Sequence, residues 1–325
     1  MSSDKNSRIS LPAALGWVAL YLLAVVIAQI AVATAFYGGG ILYFTTLEEM
    51  EAGQALAELQ TADLSLLMQI LSTLPSLLLV LLVTWLFRRF RDGQGLSSLG
   101  LGRPDGGWFR TVTFGLAAGF LAVGLMVALL WASGGYRFTG ISHSWSTWWM
   151  LPTLVGAAFV EELIMRGYVL QKIWEAGSLK WAVILSSLLF WLFHSLNPAA
   201  WSSPLVAINL FGAGIVLALA YLASGNLWFP TVVHFAWNAA QGVLLELPIS
   251  GIETDGLVDL ELTDKLPFWL TGGAFGFEAS LLATVSEAFL ALLFLWIYER
   301  RLAASLEPGP AGLTSEHSPT GSPTE

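Results

Sequence analysis

Residues 65–87 read SLLMQILSTLPSLLLVLLVTWLF and run directly into Arg88-Arg89-Phe90-Arg91. That apolar run carries no ionisable side chain. At about 1.5 Å of rise per residue it is long enough to cross the roughly 30 Å hydrocarbon core of a bilayer as a helix. Further stretches of this kind lie at approximately 11–36, 109–132, 148–170, 180–196, 203–223, 228–247 and 278–298. The expected fold is therefore all-α, a polytopic transmembrane helix bundle of about eight spans. The stretch at 180–196 is short and is expected to be tilted or partly re-entrant.

Composition agrees with a membrane protein. Of 325 residues, 56% are hydrophobic and 11% are charged, whereas a soluble domain carries about a quarter charged residues. There are 15 Trp and no Cys, so disulfides and thiolate metal sites are excluded, and any catalytic metal would have to use His and carboxylate. A net charge of −9 argues against a nucleic-acid partner, which needs a basic patch to neutralise phosphates. The partners expected are membrane lipids and a membrane-associated peptide or protein substrate.

Orientation follows from Lys and Arg, which are retained on the cytoplasmic side. With both termini cytoplasmic, the inner segments hold Lys5, Arg8, Arg88, Arg89, Arg91, Arg103, Arg110, Lys172, Lys180, Arg300 and Arg301. The outer segments hold Arg137 and Lys265, and they collect acids: Glu48, Glu49, Glu51, Glu58 and Asp63 on one loop, Glu253, Asp255, Asp259, Glu261 and Asp264 on another. The end of the first stretch, Ala31-Val32-Ala33-Thr34-Ala35, has some likeness to a signal-peptidase site. Its apolar run is longer than a signal core, and the charge pattern needs it, so an uncleaved helix is expected. The tail, rich in Pro, Gly, Ser, Thr and Glu from about Ala303, is expected to be disordered and cytoplasmic.

Function is read from polar groups at membrane depth. Every Asp lies outside the apolar stretches, which removes an aspartyl intramembrane protease. Neither His-Glu-x-x-His nor a Gly-x-Ser-Gly nucleophile occurs. What remains is Glu161, Glu162, Arg166, His194 and His234, with Glu278 and Glu287 assigned to the last helix. Each costs a few kcal/mol to place in a bilayer, so such groups tend to face one another inside the bundle.

Glu162 and Arg166 stand four apart and can pair on one helix face. A purely structural ion pair is the plain alternative. Adjacent carboxylates add a second option: Arg166 neutralises one while the other, stripped of water, accepts a proton as a general base. Phe190 stands one turn before His194, and His234 one turn before Asn238. An Asn amide and an imidazole nitrogen are both suited to a developing oxyanion. Three helices thus bring polar groups at one-turn spacing, and a shared site is the economical reading.

Glu-Glu-x-x-x-Arg at 161–166, Phe-x-x-x-His at 190–194 and His-x-x-x-Asn at 234–238 resemble, in that order, the motifs of the CAAX protease and bacteriocin-processing family (Abi, CPBP). Its eukaryotic members include the Ras-converting CAAX prenyl endopeptidase. Gly225-Asn226-Leu227-Trp228-Phe229-Pro230 looks like that family as well. So does 271–280, although Pro is expected where Phe277 stands. The resemblance covers roughly 145–300 and divides the chain into N-terminal transmembrane helices and loops (1–144), a catalytic membrane core (145–300) and the tail (301–325).

It implies an intramembrane glutamate-dependent endopeptidase, of a group often classed as metalloproteases. Carried over by position, Glu161 and His194 activate water, and His234 and Asn238 stabilise the oxyanion. Glu162 and Arg166 orient the first pair and balance its charge, while Phe190 and Glu287 are read as supporting. The substrate implied is membrane-associated, prenylated or otherwise lipid-anchored. The preferred chemistry needs no cofactor. Zinc is the alternative, held by Glu161, His194 and His234, but that would leave Asn238 as the remaining neutral oxyanion donor. A non-catalytic scaffold or bacteriocin-immunity protein of the same fold and a proton-coupled carrier are the competing readings. A bacterial plasma membrane is the expected home.

Overall fold

A computed structural model describes residues 9–59, 62–142 and 145–306. Lipid offers no hydrogen-bond partner, so an apolar segment must satisfy its backbone internally, as a helix does. The apolar stretches accordingly become α1 (Leu11–Leu47, with a π turn at Thr34–Gly38), α3 (Ala62–Leu86, running into a π turn at Phe87–Arg91), α4 (Gly107–Ala132) and α5 (Trp145–Glu162, continuing as π helix through Leu163–Leu170 to Trp174). After these come α6 (Leu179–His194), α7 (Pro204–Ser224), α8 (Trp228–Ala239, then a π turn at Ala240–Leu244) and α9 (Leu281–Leu306). The short α2 (Ala52–Leu59) lies between α1 and α3, and β1 (Tyr136–Ile141) pairs antiparallel with β2 (Val258–Leu262) in a two-stranded ribbon.

Among the described residues six helices, α1, α3, α4, α5, α7 and α9, are long and apolar enough to cross a membrane, and α6 is a shorter apolar helix of 16 residues. Large apolar side chains cover the outside of the bundle, among them Leu20, Ile27, Leu121, Phe289 and Leu292. A water-facing surface would not tolerate that continuous apolar belt. The chain is a polytopic integral membrane protein.

Several expected boundaries move. α1 runs on to Leu47, well past 36. The last helix begins at Leu281, because Gly276 at φ 96° breaks the chain there and Ser280 Oγ caps the helix by accepting from Ala283 N at 3.0 Å. Glu278 therefore sits in a short 3-10 turn, Phe277–Ala279, before that helix and not on it. The tail expected to be disordered from Ala303 is helical through Leu306, since Ala303, Ala304 and Leu306 are strong helix formers. The rest of the tail lies outside the described residues, as do Lys5 and Arg8.

Hydrogen bonds sort the connections onto two faces. On one, Arg88 reaches Glu175 and Gln171, Lys172 pairs with Asp92, Leu227 N donates to Gly100 O at 3.0 Å, and Arg301 pairs with Asp105. On the other, β1 pairs with β2, Tyr136 Oη donates to Thr271 O at 3.0 Å, and Asn197 Nδ2 donates to Ser250 O at 2.8 Å. The first is here the basic face and the second the acidic face.

Close helix contact positions the site. Gly115 and Gly119, four apart on α4, let α8 approach until a Cβ on Gly119 would lie 2.5 Å from Ala236 Cβ and 2.8 Å from Val233 O. Small residues at this spacing are how helices pack in lipid, where dispersion has to replace the hydrophobic effect.

Candidate active site

The site begins where α5 changes pitch. Glu161 and Glu162 end its regular part, and the wider π stretch follows, with all of its eight residues buried. Such π insertions are frequent at functional positions. Arg166 Nη1 donates to Glu162 Oε1 at 2.8 Å and Nη2 to Gly214 O at 2.9 Å, while the guanidinium lies 4.8 Å from the Phe190 ring centre. The pair is sealed, with side chains 0% and 1% exposed. Glu161, its neighbour, points to a cavity instead.

Both histidines are oriented by their Nδ1 atoms. His194 Nδ1 lies 2.9 Å from Phe190 O. A carbonyl only accepts, so Nδ1 carries the hydrogen and Nε2 of the neutral ring is left as an acceptor. His234 Nδ1 lies 3.1 Å from Glu162 Oε1, the oxygen that Arg166 also holds. The two Nε2 atoms then face Glu161 Oε2, at 3.8 Å from His194 and 3.9 Å from His234. That oxygen is buried and accepts no hydrogen bond from the protein. Phe190 sits between the motifs, its ring centre 4.5 Å from that of His194 and 6.1 Å from that of His234. Asn238, one turn beyond His234, lines the same cavity.

The cavity has a volume of about 640 Å³, and mostly apolar side chains line it. Glu161, Phe190, His194, His234, Asn238 and Glu287 all contribute to its wall, whereas Glu162 and Arg166 stand behind it. Every residue expected at the site is thus found together. Glu287 is 6% exposed, and its carboxylate fills the space left by Gly212, where a Cβ would meet Oε2 at 2.3 Å.

Sequence reading flagged Glu278 but missed the polar partners that surround it. Glu278 Oε2 accepts from Ser250 N and Ser250 Oγ, each at 2.8 Å, and Glu278 Oε1 accepts from Gln241 Nε2 at 3.2 Å. Asn209 Nδ2 donates to the carbonyls of Glu278 and Ser280 at 2.7 and 2.8 Å. These bonds pin the loop containing Ile249, Ser250 and Ile252 over the cavity. Gln241, three residues past Asn238, and Asn209, within an apolar run, were the available signals.

A zinc held by Glu161, His194 and His234 would be expected to keep its donors about 3.3 Å apart, the edge of a tetrahedron with bonds near 2.0–2.1 Å. The separations of 3.8 and 3.9 Å are wider, and among the described residues no three such side chains are arranged to hold a metal ion.

Residues 143–240 match the family model described as Rce1-like, type II CAAX prenyl endopeptidase. This stretch of the chain is similar to the Rce1-like family. All three motifs fall within the matched residues, and Glu278 and Glu287 fall outside them. The match ends well before 300, so the resemblance seen at 271–280 lies beyond it. No curated protein and no solved structure matches the chain significantly. The similarity is, in general terms, to CAAX-type intramembrane endopeptidases.

Proposed function

We propose that this protein hydrolyses a peptide bond of a membrane-associated, lipid-anchored substrate, with Glu161 as general base. The observation that carries the reading is the meeting of Glu161 Oε2 with two histidine Nε2 atoms in one apolar cavity that Asn238 also lines. Separations of 3.8 and 3.9 Å are too long for direct hydrogen bonds and suit a bridging water.

In this reading the water is held between Glu161 and His194, whose Nε2 lone pair takes one of its hydrogens in a hydrogen bond. Glu161 accepts the other proton as the water oxygen attacks the carbonyl carbon. The oxyanion so formed receives hydrogen bonds from Asn238 Nδ2 and from His234. His234 donates from Nε2 as the imidazolium, with the Glu162 carboxylate at its Nδ1. Glu161 then returns its proton to the departing nitrogen, leaving a carboxylic acid and an amine. Arg166 holds Glu162 in place, so it serves the reaction through His234. Low dielectric strengthens each of these contacts.

The test is cleavage of a lipid-anchored peptide by the purified chain in lipid nanodiscs, with products identified by mass. Two fragments whose masses sum to the peptide plus one water are expected. A non-catalytic scaffold would bind and yield none.

A further inference from the structure

The cavity is lined by loop residues from one face only. Asn197, Ile249, Ser250, Ile252, Phe275 and Glu278 all belong to the acidic face, and no residue of the connections on the basic face contributes. The polar part of the helical lining leans the same way, while apolar Val25, Ile164, Met165, Leu217 and Val233 extend the wall into the helix halves nearer the basic face. Gln69, Ser72 and Thr73 lie in the half of α3 next to the acidic face and Thr153 in the corresponding part of α5, while Ser76 and Gln29 lie near the middles of α3 and α1. Towards the basic face the way is shut by fully buried Leu163, Tyr168, Leu170, Ile173 and Leu227, with the Arg88, Asp92, Lys172 and Glu175 network beyond them.

The two faces differ in charge. The basic face and the helix ends beside it hold Arg88, Arg89, Arg91, Arg103, Arg110, Lys172, Lys180, Arg300 and Arg301. The acidic face holds only Arg137 and Lys265 among the described residues. Basic loops stay in the cytoplasm during insertion, so the cavity opens away from it. The wall carries Glu161, Glu278 and Glu287 and no Lys or Arg.

We infer that the site is reached from the non-cytoplasmic side, and that its substrate is the exported segment of a membrane-anchored protein. The access face rests on the cavity alone, and the word substrate rests on the hydrolytic reading above. A cytoplasmic lipidated tail, the substrate implied by the family resemblance, would approach the sealed end.

The chain has no cysteine, so single cysteines can be read without background. Ser76→Cys and Ile252→Cys probe the cavity, Glu253→Cys the acidic face and Ser97→Cys the basic face. Each variant is treated with a charged, membrane-impermeant methanethiosulfonate in intact bacterial cells and in inside-out vesicles. The first three should react in cells and Ser97→Cys only in inside-out vesicles. Reaction of Ser76→Cys and Ile252→Cys only in inside-out vesicles, or in neither preparation, overturns the access face, and so does the reverse pattern for Glu253→Cys and Ser97→Cys. A peptide carried on a lipid anchor should then be cut when displayed outside the cell and not when displayed inside. Cutting only on the inside overturns the substrate assignment. Labelling as expected without cutting on either side overturns the hydrolytic reading, and the substrate with it, and leaves the access face standing.

Discussion

Arg166→Ala removes a cation that three partners hold. Its guanidinium donates to Glu162 Oε1 at 2.8 Å and Gly214 O at 2.9 Å and lies 4.8 Å from the Phe190 ring centre. Without it Glu162, whose side chain is 0% exposed, keeps His234 Nδ1 at 3.1 Å as its remaining hydrogen-bond partner. Breaking a fully buried ion pair from one side costs about 3–5 kcal/mol, because the stranded charge has no water to return to. The contact with Phe190 and the bond to Gly214 are lost in the same step and are not additive with it, so a total on the order of 3–5 kcal/mol is expected. Glu162→Gln added to Arg166→Ala removes the stranded charge and should restore a large part of that loss. Reversible unfolding in mixed micelles, followed by Trp fluorescence, measures all members of the cycle. The reasoning is refuted if Arg166→Ala costs under about 1 kcal/mol, or if the double variant is no more stable than the single one.

Gly119→Ala should lower unfolding stability by roughly 1–3 kcal/mol and reduce turnover as well. A Cβ there would sit 2.5 Å from Ala236 Cβ, between His234 and Asn238; a variant as stable as the parent would disprove the close approach of α4 and α8. Glu246, in the loop after α8, has its carboxyl raised above the ordinary range by burial and by the Asp259 carboxyl beside it. The folded state therefore holds that proton more tightly than the unfolded chain. Its contribution to stability is complete below the usual carboxylate range and is lost as pH rises through the raised value. Unfolding temperatures measured across that range should show Glu246→Gln gaining on the parent as pH increases, and parallel curves would contradict the assignment. Chelation of zinc should leave most of the activity if the protein stays folded, whereas stoichiometric zinc with reversible loss of activity would reassign His194 and His234 as ligands.

The helices were legible because lipid makes a spanning segment apolar along its whole length, and charges at its ends are unambiguous punctuation. The pairing of Glu162 with Arg166 was legible because i, i+4 spacing is a local rule. Convergence of Glu161, His194, His234 and Asn238 followed from the cost of isolated polar groups in a bilayer. What stayed hidden depended on long-range approach or local backbone detail. The π stretch at 163–170 and the start of α9 at Leu281 are set by packing and by Gly276 and Ser280, which hydropathy does not see. Glu278 was flagged as costly, but its partners Ser250 and Gln241 come from residues far from it in sequence. Gly115 and Gly119 carried a readable small-residue spacing, yet nothing in it named α8 as the partner.

The central claim is that the Glu161 carboxylate is the base. Glu161→Gln keeps the shape and the hydrogen-bonding capacity of that side chain and removes its basicity. Turnover of a lipid-anchored peptide by the purified variant should fall by about 10²–10⁴-fold, with the unfolding temperature unchanged. Asn238→Ala in the same assay should lose on the order of 10²–10³-fold in turnover with little change in KM, as expected for an oxyanion donor. A Glu161→Gln protein that cleaves the peptide at the parent's rate would contradict the account.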